Sequence, residues 1–199
     1  MKLTYLSHSS FELKNGKTVL IDPFFSGNKL APKYEGKPDL VLVTNEHYDH
    51  ADASKFDCTI IAPSTCKFNR MISMSIGDEM NMSGVNVQMV KASHHQSTYA
   101  AGYVISFEGK RIYHPGDTYL DGVKNQGVID IMFVPIGGNS TMNVDEAVEA
   151  LKIVKPQLAI PMHYNTFPEI KADPNDFKAK AEKEGFKVQV MEFGQQLDV

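Results

Sequence analysis

One polar segment of the chain concentrates side chains that bind metal ions: Asn45, His47, Asp49 and His50. It follows a short apolar run, residues 39–43, that predicts a buried strand. Alternate residues of an extended chain project to the same side, so the first three can converge on one point while His50 faces a second. Imidazole and carboxylate are the usual ligands of zinc and similar ions. The segment therefore predicts part of a two-metal site, and the alternative is a solvated turn.

The positions of the other histidines favour the metal site. The chain has seven histidines, and each lies in or beside a polar segment next to a strand-like run. Those outside the first segment are His8, His94, His95, His114 and His163. Asp117 follows in the same short turn as one of them, His114-Pro115-Gly116-Asp117. Histidines scattered through a core or over a surface would not be sorted in this way.

These segments together resemble the motifs of the metallo-β-lactamase superfamily. Residues 45–50 resemble its His-x-His-x-Asp-His motif with Asn45 in the first position, and Ile21-Asp22-Pro23 resembles the early Asp motif. The match runs almost end to end and is similar to a small family of uncharacterised metal-dependent hydrolases, close to the ascorbate-phosphate lactonase type. The closer similarity is carried by residues 5–11, 21–28, 135–142 and 161–168. The resemblance implies an α/β fold, the four-layer αββα sandwich, with the site at the shared edge of two sheets.

The resemblance also implies which residues bind metal. The implied ligands form two unequal positions joined by a bridging carboxylate: Asn45, His47 and His94 in the first, Asp49, His50 and His163 in the second, and Asp117 between them. A metal-bound hydroxide is the implied nucleophile, and Asp49 is the catalytic residue that orients it. The implied cofactor is one or two divalent ions per chain, zinc first, with manganese, iron or nickel as alternatives.

Asn45 is the departure from the family pattern. A carboxamide oxygen is a weak, neutral ligand compared with imidazole, so the first position is expected to bind its metal more weakly. One class of metallo-β-lactamases also has Asn here and works with a single zinc in the second position. The resemblance therefore permits a one-metal enzyme, and it also permits an impaired one.

Six residues are predicted to surround the metals or to contact substrate: His8, Asp22, His95, His114, Tyr164 and Asn165. His94 and His95 cannot both point inward from an extended strand, and the family pattern favours His94 as the ligand. We expect His114 to pack in its turn or to hydrogen-bond a ligand.

Of the remaining four, His8 is expected to orient a ligand or a substrate oxygen. Asp22 is expected to bond the backbone beneath the site rather than the metal. Tyr164 and Asn165 directly follow a ligand, so they either reach the substrate or shape their loop.

Composition and pattern place these residues on one α/β domain, residues 1–199. The chain is 42% hydrophobic and 22% charged, as expected of a globular domain. Strand hairpins, one of them across Ser83-Gly84, alternate with strand–helix units. Helices are predicted over 51–55, from Ser64, over 145–154 and from Pro174 to Glu184, and a last strand over 187–191.

These observations predict a metal-dependent hydrolase of a small ester, lactone or phosphoester. The alternatives are a non-catalytic metal-binding or sensor protein of the same fold and, less favoured, a nuclease. The net charge of −4 argues against a nucleic-acid partner, and the retained Asp49 favours the enzyme. Two cysteines and no targeting segment predict a cytoplasmic protein, and no apolar run predicts a membrane span. The expected partner is a small-molecule substrate, and the oligomeric state is left open.

Overall fold

Two β-sheets account for most of the regular structure in the computed structural model, which describes residues 1–82 and 84–199. The first sheet contains β1 (Lys2–Ser7), β2 (Ser10–Asn15), β3 (Lys17–Ile21), β4 (Leu40–Leu42), β5 (Thr59–Pro63), β6 (Met71–Met74) and β13 (Gln196–Asp198). The second contains β7 (Glu79–Met82), β8 (Val85–Lys91), β9 (Ala101–Phe107), β10 (Lys110–His114), β11 (Ile131–Pro135) and β12 (Leu158–Met162).

Strand order places parallel strands beside the site in both sheets. The orders are β13-β1-β2-β3-β4-β5-β6 and β12-β11-β10-β9-β8-β7. Strands β3 to β6 run parallel, and so do β10, β11 and β12. Parallel strands end at a common edge, where open α/β sheets place their chemistry.

Aromatic side chains pack the two sheets face to face. Phe11 of β2 and Phe133 of β11 are fully buried, and their rings stack with centroids 3.7 Å apart. Tyr5 of β1 also stacks on Phe11, with ring centroids 4.7 Å apart. Tyr103 of β9 donates its hydroxyl to the carbonyl of Val43, at the end of β4, at 2.9 Å. These contacts fix the sheet edges relative to each other.

Two helices are associated with the second sheet. Helix α1 (Val144–Val154) connects β11 to β12, and its buried residues share one core with those strands. The helix begins after the N-cap Asn143, which forms a reciprocal capping box with Glu146, three residues further on as the sequence pattern predicts. Helix α2 (Pro174–Lys183) packs on α1 and begins after the cap Asp173. Short 3-10 helices cover Leu120–Gly122 and Pro168–Ile170. No helix in the described residues has the length and apolar character that crossing a membrane requires.

The predicted helices over 51–55 and from Ser64 are wrong, because both segments form turns. The carboxylate of Asp52 accepts hydrogen bonds from the backbone N–H groups of Phe25 and Ser26, so it holds a loop rather than a helix. These turns and Tyr34 cover a second apolar cluster on the first sheet that includes Val41.

The predicted strand over 187–191 is also wrong. Val188 forms one isolated parallel bridge to Ala159, and the pairing stops there. Pro161, two residues further along β12, has no N–H for the next bond of the ladder. The sequence prediction also missed β6 and β13. Met82 and Val85 pair as expected for the predicted hairpin, whose Ser83 lies outside the described residues.

Candidate metal centre

The side chains predicted to bind or to surround metal follow the carboxyl ends of strands in both sheets. Asp22 follows β3, and the segment 44–50 follows β4. In the second sheet His94, Asp117 and His163 follow β8, β10 and β12. The structure therefore brings to one edge residues that are more than a hundred positions apart in sequence.

One group, called here the four-residue cluster, consists of His8, Asp49, His50 and His163. One ligand-capable atom from each lies within 4.8 Å of the others. The ring centroids of His8 and His163 are 4.1 Å apart, and those of His50 and His163 are 5.8 Å apart. The three imidazoles are buried and the carboxylate is partly exposed, so solvent reaches the cluster from the side of Asp49.

A second group, the three-residue cluster, consists of His47, His94 and Asp117. Its ligand-capable atoms also lie within 4.8 Å of one another. The two rings are 5.2 Å apart and nearly perpendicular, at 71°. His47 is partly exposed, whereas His94 and Asp117 are buried. This cluster is the more open of the two on its histidine side.

The carboxylate of Asp117 contacts histidines of both clusters. Its Oδ1 lies 3.1 Å from Nε2 of His163, and its Oδ2 lies 3.1 Å from Nε2 of His50. The same Oδ2 lies 3.9 Å from Nε2 of His94. This central place agrees with the bridging role that the sequence motif implies.

Asp22 supports the four-residue cluster from beneath. Its Oδ1 accepts a hydrogen bond from the backbone N–H of Thr44 at 2.8 Å, and its Oδ2 accepts one from the Thr44 hydroxyl at 2.7 Å. The same Oδ2 lies 2.8 Å from Nδ1 of His50. A carboxylate on the outer nitrogen fixes the ring orientation and leaves Nε2 facing Asp117, as in many metal sites.

Backbone carbonyls hold the histidines of the three-residue cluster. Nδ1 of His94 donates to the carbonyl of Ser140 at 2.9 Å, and Nε2 of His47 donates to the carbonyl of Gln96 at 3.1 Å. Each ring is thereby left with its other nitrogen free of a proton when neutral. That nitrogen is the one available to a metal.

Unpaired buried atoms test whether a cation fits. Within residues 1–82 and 84–199, the buried side-chain atoms without a hydrogen-bond partner include four in the clusters: Nε2 of His8, His50 and His94, and Oδ1 of Asp117. Leaving a buried polar atom unpaired costs about 1–3 kcal/mol. A divalent cation satisfies imidazole nitrogens and carboxylate oxygens together, so these residues fit one. The donor set suits zinc and also manganese, iron or nickel.

Electrostatics within the clusters keeps the carboxylates ionised. Burial by itself would raise the pKa of Asp117, but His163 and His50 hold that pKa well below its usual range. Burial would lower the pKa of His50, yet Asp117 and Asp22 raise it well above its usual value. Burial lowers the pKa of His8 to about 4, and the neighbouring His163 adds to this effect. An ionised carboxylate beside a neutral His8 is the form that binds metal.

The structure places His94, and not His95, in a cluster of ligand-capable side chains. His94 is buried in the three-residue cluster, whereas His95 is exposed and lies against Tyr119, with ring centroids 4.8 Å apart. His95 belongs to neither cluster and does not line the cleft, so the structure does not bring it to the place beside the metals or the substrate that was predicted for it.

His114 is buried in its turn. Its Nε2 donates to the carbonyl of Ser9 at 2.9 Å, and its Nδ1 accepts from the backbone N–H of Gly116 at 3.2 Å. Gly116 has φ of 65°, and a Cβ there would lie 2.3 Å from the carbonyl oxygen of Ala101. The turn that presents Asp117 thus needs glycine at this position.

Tyr164 and Asn165 shape their loop. The carboxamide of Asn165 makes two hydrogen bonds with the backbone of Ala172, at 3.0 and 3.1 Å. Tyr164 is buried, and burial raises its pKa to about 12. Neither residue is among those that line the cleft described below.

Asn45 is buried and serves its own loop. Its Oδ1 accepts a hydrogen bond from the backbone N–H of His47 at 2.9 Å, in the manner of an Asx turn. Its Nδ2 lies 3.5 Å from the hydroxyl of Thr44. The Asn45 amide thus orients the backbone of His47. The role of Asn45 as a metal ligand stays a prediction.

Glu46 was missed by the sequence analysis although it lies inside the motif. Its carboxylate accepts hydrogen bonds from the hydroxyls of Thr65 and Ser97 and from the N–H and hydroxyl of Thr98. Burial would raise its pKa, but hydrogen bonds from its own backbone N–H and these neighbours lower it. Glu46 therefore joins the loop of His47 to the loop of His94. The serines and threonines of residues 93–98 were the available signal.

A cleft of about 550 Å³ opens above the clusters. It is lined by Glu46, His47, Tyr48, Asp49, His94, Gln96, Asp117, Asn139, Ser140, His163, Phe167, Glu169 and Ile170. This volume matches the sites of small molecules.

Comparison with known proteins identifies the family. A family model described as a beta-lactamase superfamily domain matches residues 2–163. The UPF0173 metal-dependent hydrolase of Thermoplasma acidophilum is 40% identical over 100% of this chain and 99% of the relative. A protein of the same family name from Archaeoglobus fulgidus is 38% identical over 96% and 95%. The chain belongs to the metallo-β-lactamase superfamily.

Solved structures support the same membership. Igni18, described as a metallo hydrolase from Ignicoccus hospitalis, superposes with a TM-score of 0.85 at 30% identity over 98% of this chain and 97% of that one. An isothiocyanate hydrolase from Delia radicum gut bacteria has a TM-score of 0.79 at 18% identity over 100% and 99%, which shows a shared fold. The predicted α/β fold is confirmed, and this superfamily member is a metal-dependent hydrolase.

Asn45→His is expected to strengthen metal binding in the three-residue cluster of this superfamily member. An imidazole supplies the ligand that the motif lacks, so the metal content after dialysis should move from close to one ion per chain toward two. Calorimetric titration of the metal-free protein with zinc measures both affinities.

Asn45→Ala is the matched control, because it removes the hydrogen bond between the Asn45 side chain and the backbone N–H of His47 without adding a ligand. It should leave the weaker position as weak as before or weaker. Two equally tight positions in the unmodified protein, or no gain from the histidine, would show that residue 45 does not set this affinity.

Proposed function

We propose that the chain hydrolyses a small, uncharged ester or lactone in the cleft above the two clusters. The observation that carries this proposal is the meeting of seven ligand-capable side chains, five of which line an open cleft: His47, Asp49, His94, Asp117 and His163. A divalent ion bound there supplies water of lowered pKa and a Lewis acid for the carbonyl oxygen, both of which ester hydrolysis needs.

Asp49 is the residue that we assign to the attacking water. It lines the cleft, and its side chain is 17% exposed, whereas the imidazoles of its cluster are buried. Burial would raise its pKa, but His8 and His50 hold that pKa well below its usual range. The ionised carboxylate can accept a hydrogen bond from water and hold it toward the substrate.

The charge of the cleft favours an uncharged substrate. Its lining includes the carboxylates of Glu46, Asp49, Asp117 and Glu169, and no lysine or arginine among the described lining residues. Four negative charges equal the charge of two divalent ions and exceed that of one. Phosphate groups are usually held by arginine or lysine, so a phosphoester or a nucleic acid is the less favoured substrate.

An apolar wall gives the cleft a place for the substrate's carbon skeleton. Tyr48, Phe167 and Ile170 line one side, and the rings of Tyr48 and Phe167 are 6.4 Å apart. Tyr48 is 69% exposed. Tyrosine combines an apolar ring with a polar tip and is enriched where one side of a residue meets a partner and the other meets water. We therefore expect an acyl or aryl group to lie against this wall.

The proposal is tested with the zinc- or manganese-loaded protein and paired substrates. p-Nitrophenyl acetate, p-nitrophenyl butyrate and γ-butyrolactone represent the uncharged class. p-Nitrophenyl phosphate and bis(p-nitrophenyl) phosphate represent the charged class. We expect a higher kcat/KM for the uncharged class. Faster turnover of a phosphate ester would overturn the substrate assignment, and no turnover by fully loaded protein would favour the sensor alternative.

Glu169→Lys is expected to shift this preference toward anionic substrates. Glu169 is exposed at the cleft, so reversing its charge should raise kcat/KM for bis(p-nitrophenyl) phosphate relative to p-nitrophenyl butyrate about threefold or more. Glu182→Lys is the matched control, since it makes the same change on the exposed face of α2. An equal shift in both variants would assign the effect to net charge rather than to the cleft.

A further inference from the structure

We propose that His8 is a direct metal ligand, the fourth side chain of the four-residue cluster beside Asp49, His50 and His163. The sequence motif assigns three ligands and the bridging Asp117 to this position and gives His8 at most an orienting role. The inference concerns the ligand set alone, so it stands or fails independently of the proposed substrate.

The first observation that supports this ligand assignment is the position of the His8 ring. Its Nε2 lies 3.2 Å from Oδ2 of Asp49, and its ring centroid lies 5.4 Å from that of His50. A ligand-capable atom of His8 lies within 4.8 Å of one atom from each other member. An imidazole that only oriented a ligand would sit behind that ligand, as Asp22 sits behind His50. His8 instead faces the same point as the ligands themselves.

The two ring nitrogens of His8 have different surroundings. Nδ1 is hydrogen-bonded to the hydroxyl of Thr166. Nε2 is buried and has no hydrogen-bond partner among the described residues, even though the Asp49 carboxylate is close. Closeness without a hydrogen bond is expected of two ligands that converge on one cation. The bond to Thr166 matches the outer-nitrogen contacts that hold ligating histidines elsewhere.

The backbone holds His8 in an unfavourable conformation that places the ring in the cluster. His8 has φ of 55°, directly after β1, and His163 has φ of 55° directly after β12. The N–H of His163 donates to the carbonyl of His8 at 2.8 Å, and the hydroxyl of Tyr5 donates to the same carbonyl at 2.9 Å. Left-handed conformations of residues other than glycine are strained, and such strain clusters at functional sites.

If His8 is a ligand, the expected metal affinities of the two clusters differ by more than the substitution at Asn45 alone would cause. The four-residue cluster offers three imidazoles and a carboxylate, while the three-residue cluster offers two imidazoles and a carboxylate. The former should therefore fill first at limiting metal. A single ion per chain would then occupy a site with a complete set of protein ligands.

The test compares His8→Gln and His8→Ala with the unmodified protein. Glutamine can keep the hydrogen bond to Thr166 but is a poor ligand, so it separates ligation from orientation. Zinc titration of the metal-free full chain by calorimetry should show the tighter site weakened at least about tenfold in both variants. His95→Ala, which removes an exposed imidazole, is the control and should bind as the unmodified protein does. Unchanged affinity in His8→Gln would overturn the proposal.

A spectroscopic readout tests the same inference even if His8→Ala fails to fold. Proton NMR of the protein with one equivalent of cobalt(II) shows solvent-exchangeable, hyperfine-shifted ring N–H signals from ligating histidines. We expect the His8→Gln protein to lack one of the signals that the unmodified protein gives. The same number of signals in both proteins would show that His8 does not touch the metal.

Discussion

Replacing Asp117 with alanine is expected to leave the protein with at most one bound metal ion. The three-residue cluster would keep only His47 and His94, which is too few ligands for tight binding. The four-residue cluster would keep its members but lose the negative charge 3.1 Å from both His50 and His163. Hydrolytic activity should fall by about 100-fold or more, since changes even outside the ligand set reach that size.

Metal analysis after dialysis and calorimetric titration measure this effect. Asp121→Ala removes an exposed carboxylate four positions away and should leave both sites unchanged. Asp117→Asn keeps the shape of the side chain, so it separates the loss of charge from a packing defect. Two ions per chain in Asp117→Ala would contradict the central position that the structure gives this carboxylate.

Phe133→Ala is expected to lower the free energy of unfolding by about 3–5 kcal/mol, the usual cost of deleting a buried phenylalanine. Phe133 is fully buried and stacks on Phe11 of the opposite sheet at 3.7 Å, and its ring lies 5.5 Å from that of His114. Its removal leaves a cavity between two sheets that cannot easily close. Urea unfolding of the metal-free protein measures the loss without a contribution from bound metal.

Val128→Ala is the control for this measurement, because Val128 is 71% exposed and should change stability by less than about 0.5 kcal/mol. Phe133→Leu should give an intermediate loss. A Phe133→Ala protein within about 1 kcal/mol of the unmodified one would mean that the core relaxes around the cavity.

The sequence predicted the segments that meet at the site because strand ends in α/β sheets meet at shared edges. The alternation of His47 and Asp49 and the turn before Asp117 can be read from the sequence alone. The burial of His94 and the exposure of His95 agree with the preference that the motif gave. The capping box of α1 was likewise visible, since Asn143 and Glu146 stand three positions apart.

The remainder depended on contacts between distant residues. The approach of His8 to His163 is set by the packing of two sheets, which no local pattern encodes. The segment predicted as a helix over 51–55 forms turns instead, because Asp52 hydrogen-bonds a loop about 27 residues earlier in the sequence. The pairing at Val188 stops after one bridge because Pro161 of β12 has no N–H to donate. In each case a tertiary contact overrides a local preference.

The seven cluster residues are divided between the two sheets, and this division gives a bound ion a mechanical role. His8, His47, Asp49 and His50 belong to the first sheet's loops, and His94, Asp117 and His163 belong to the second sheet's. Separating the sheets at this edge requires that the ion be released. An ion at a thousand times its dissociation constant adds about 4 kcal/mol to the folded state. The supply of metal would therefore determine how often the two sheets separate at this edge, and with it how long the folded chain resists proteolysis.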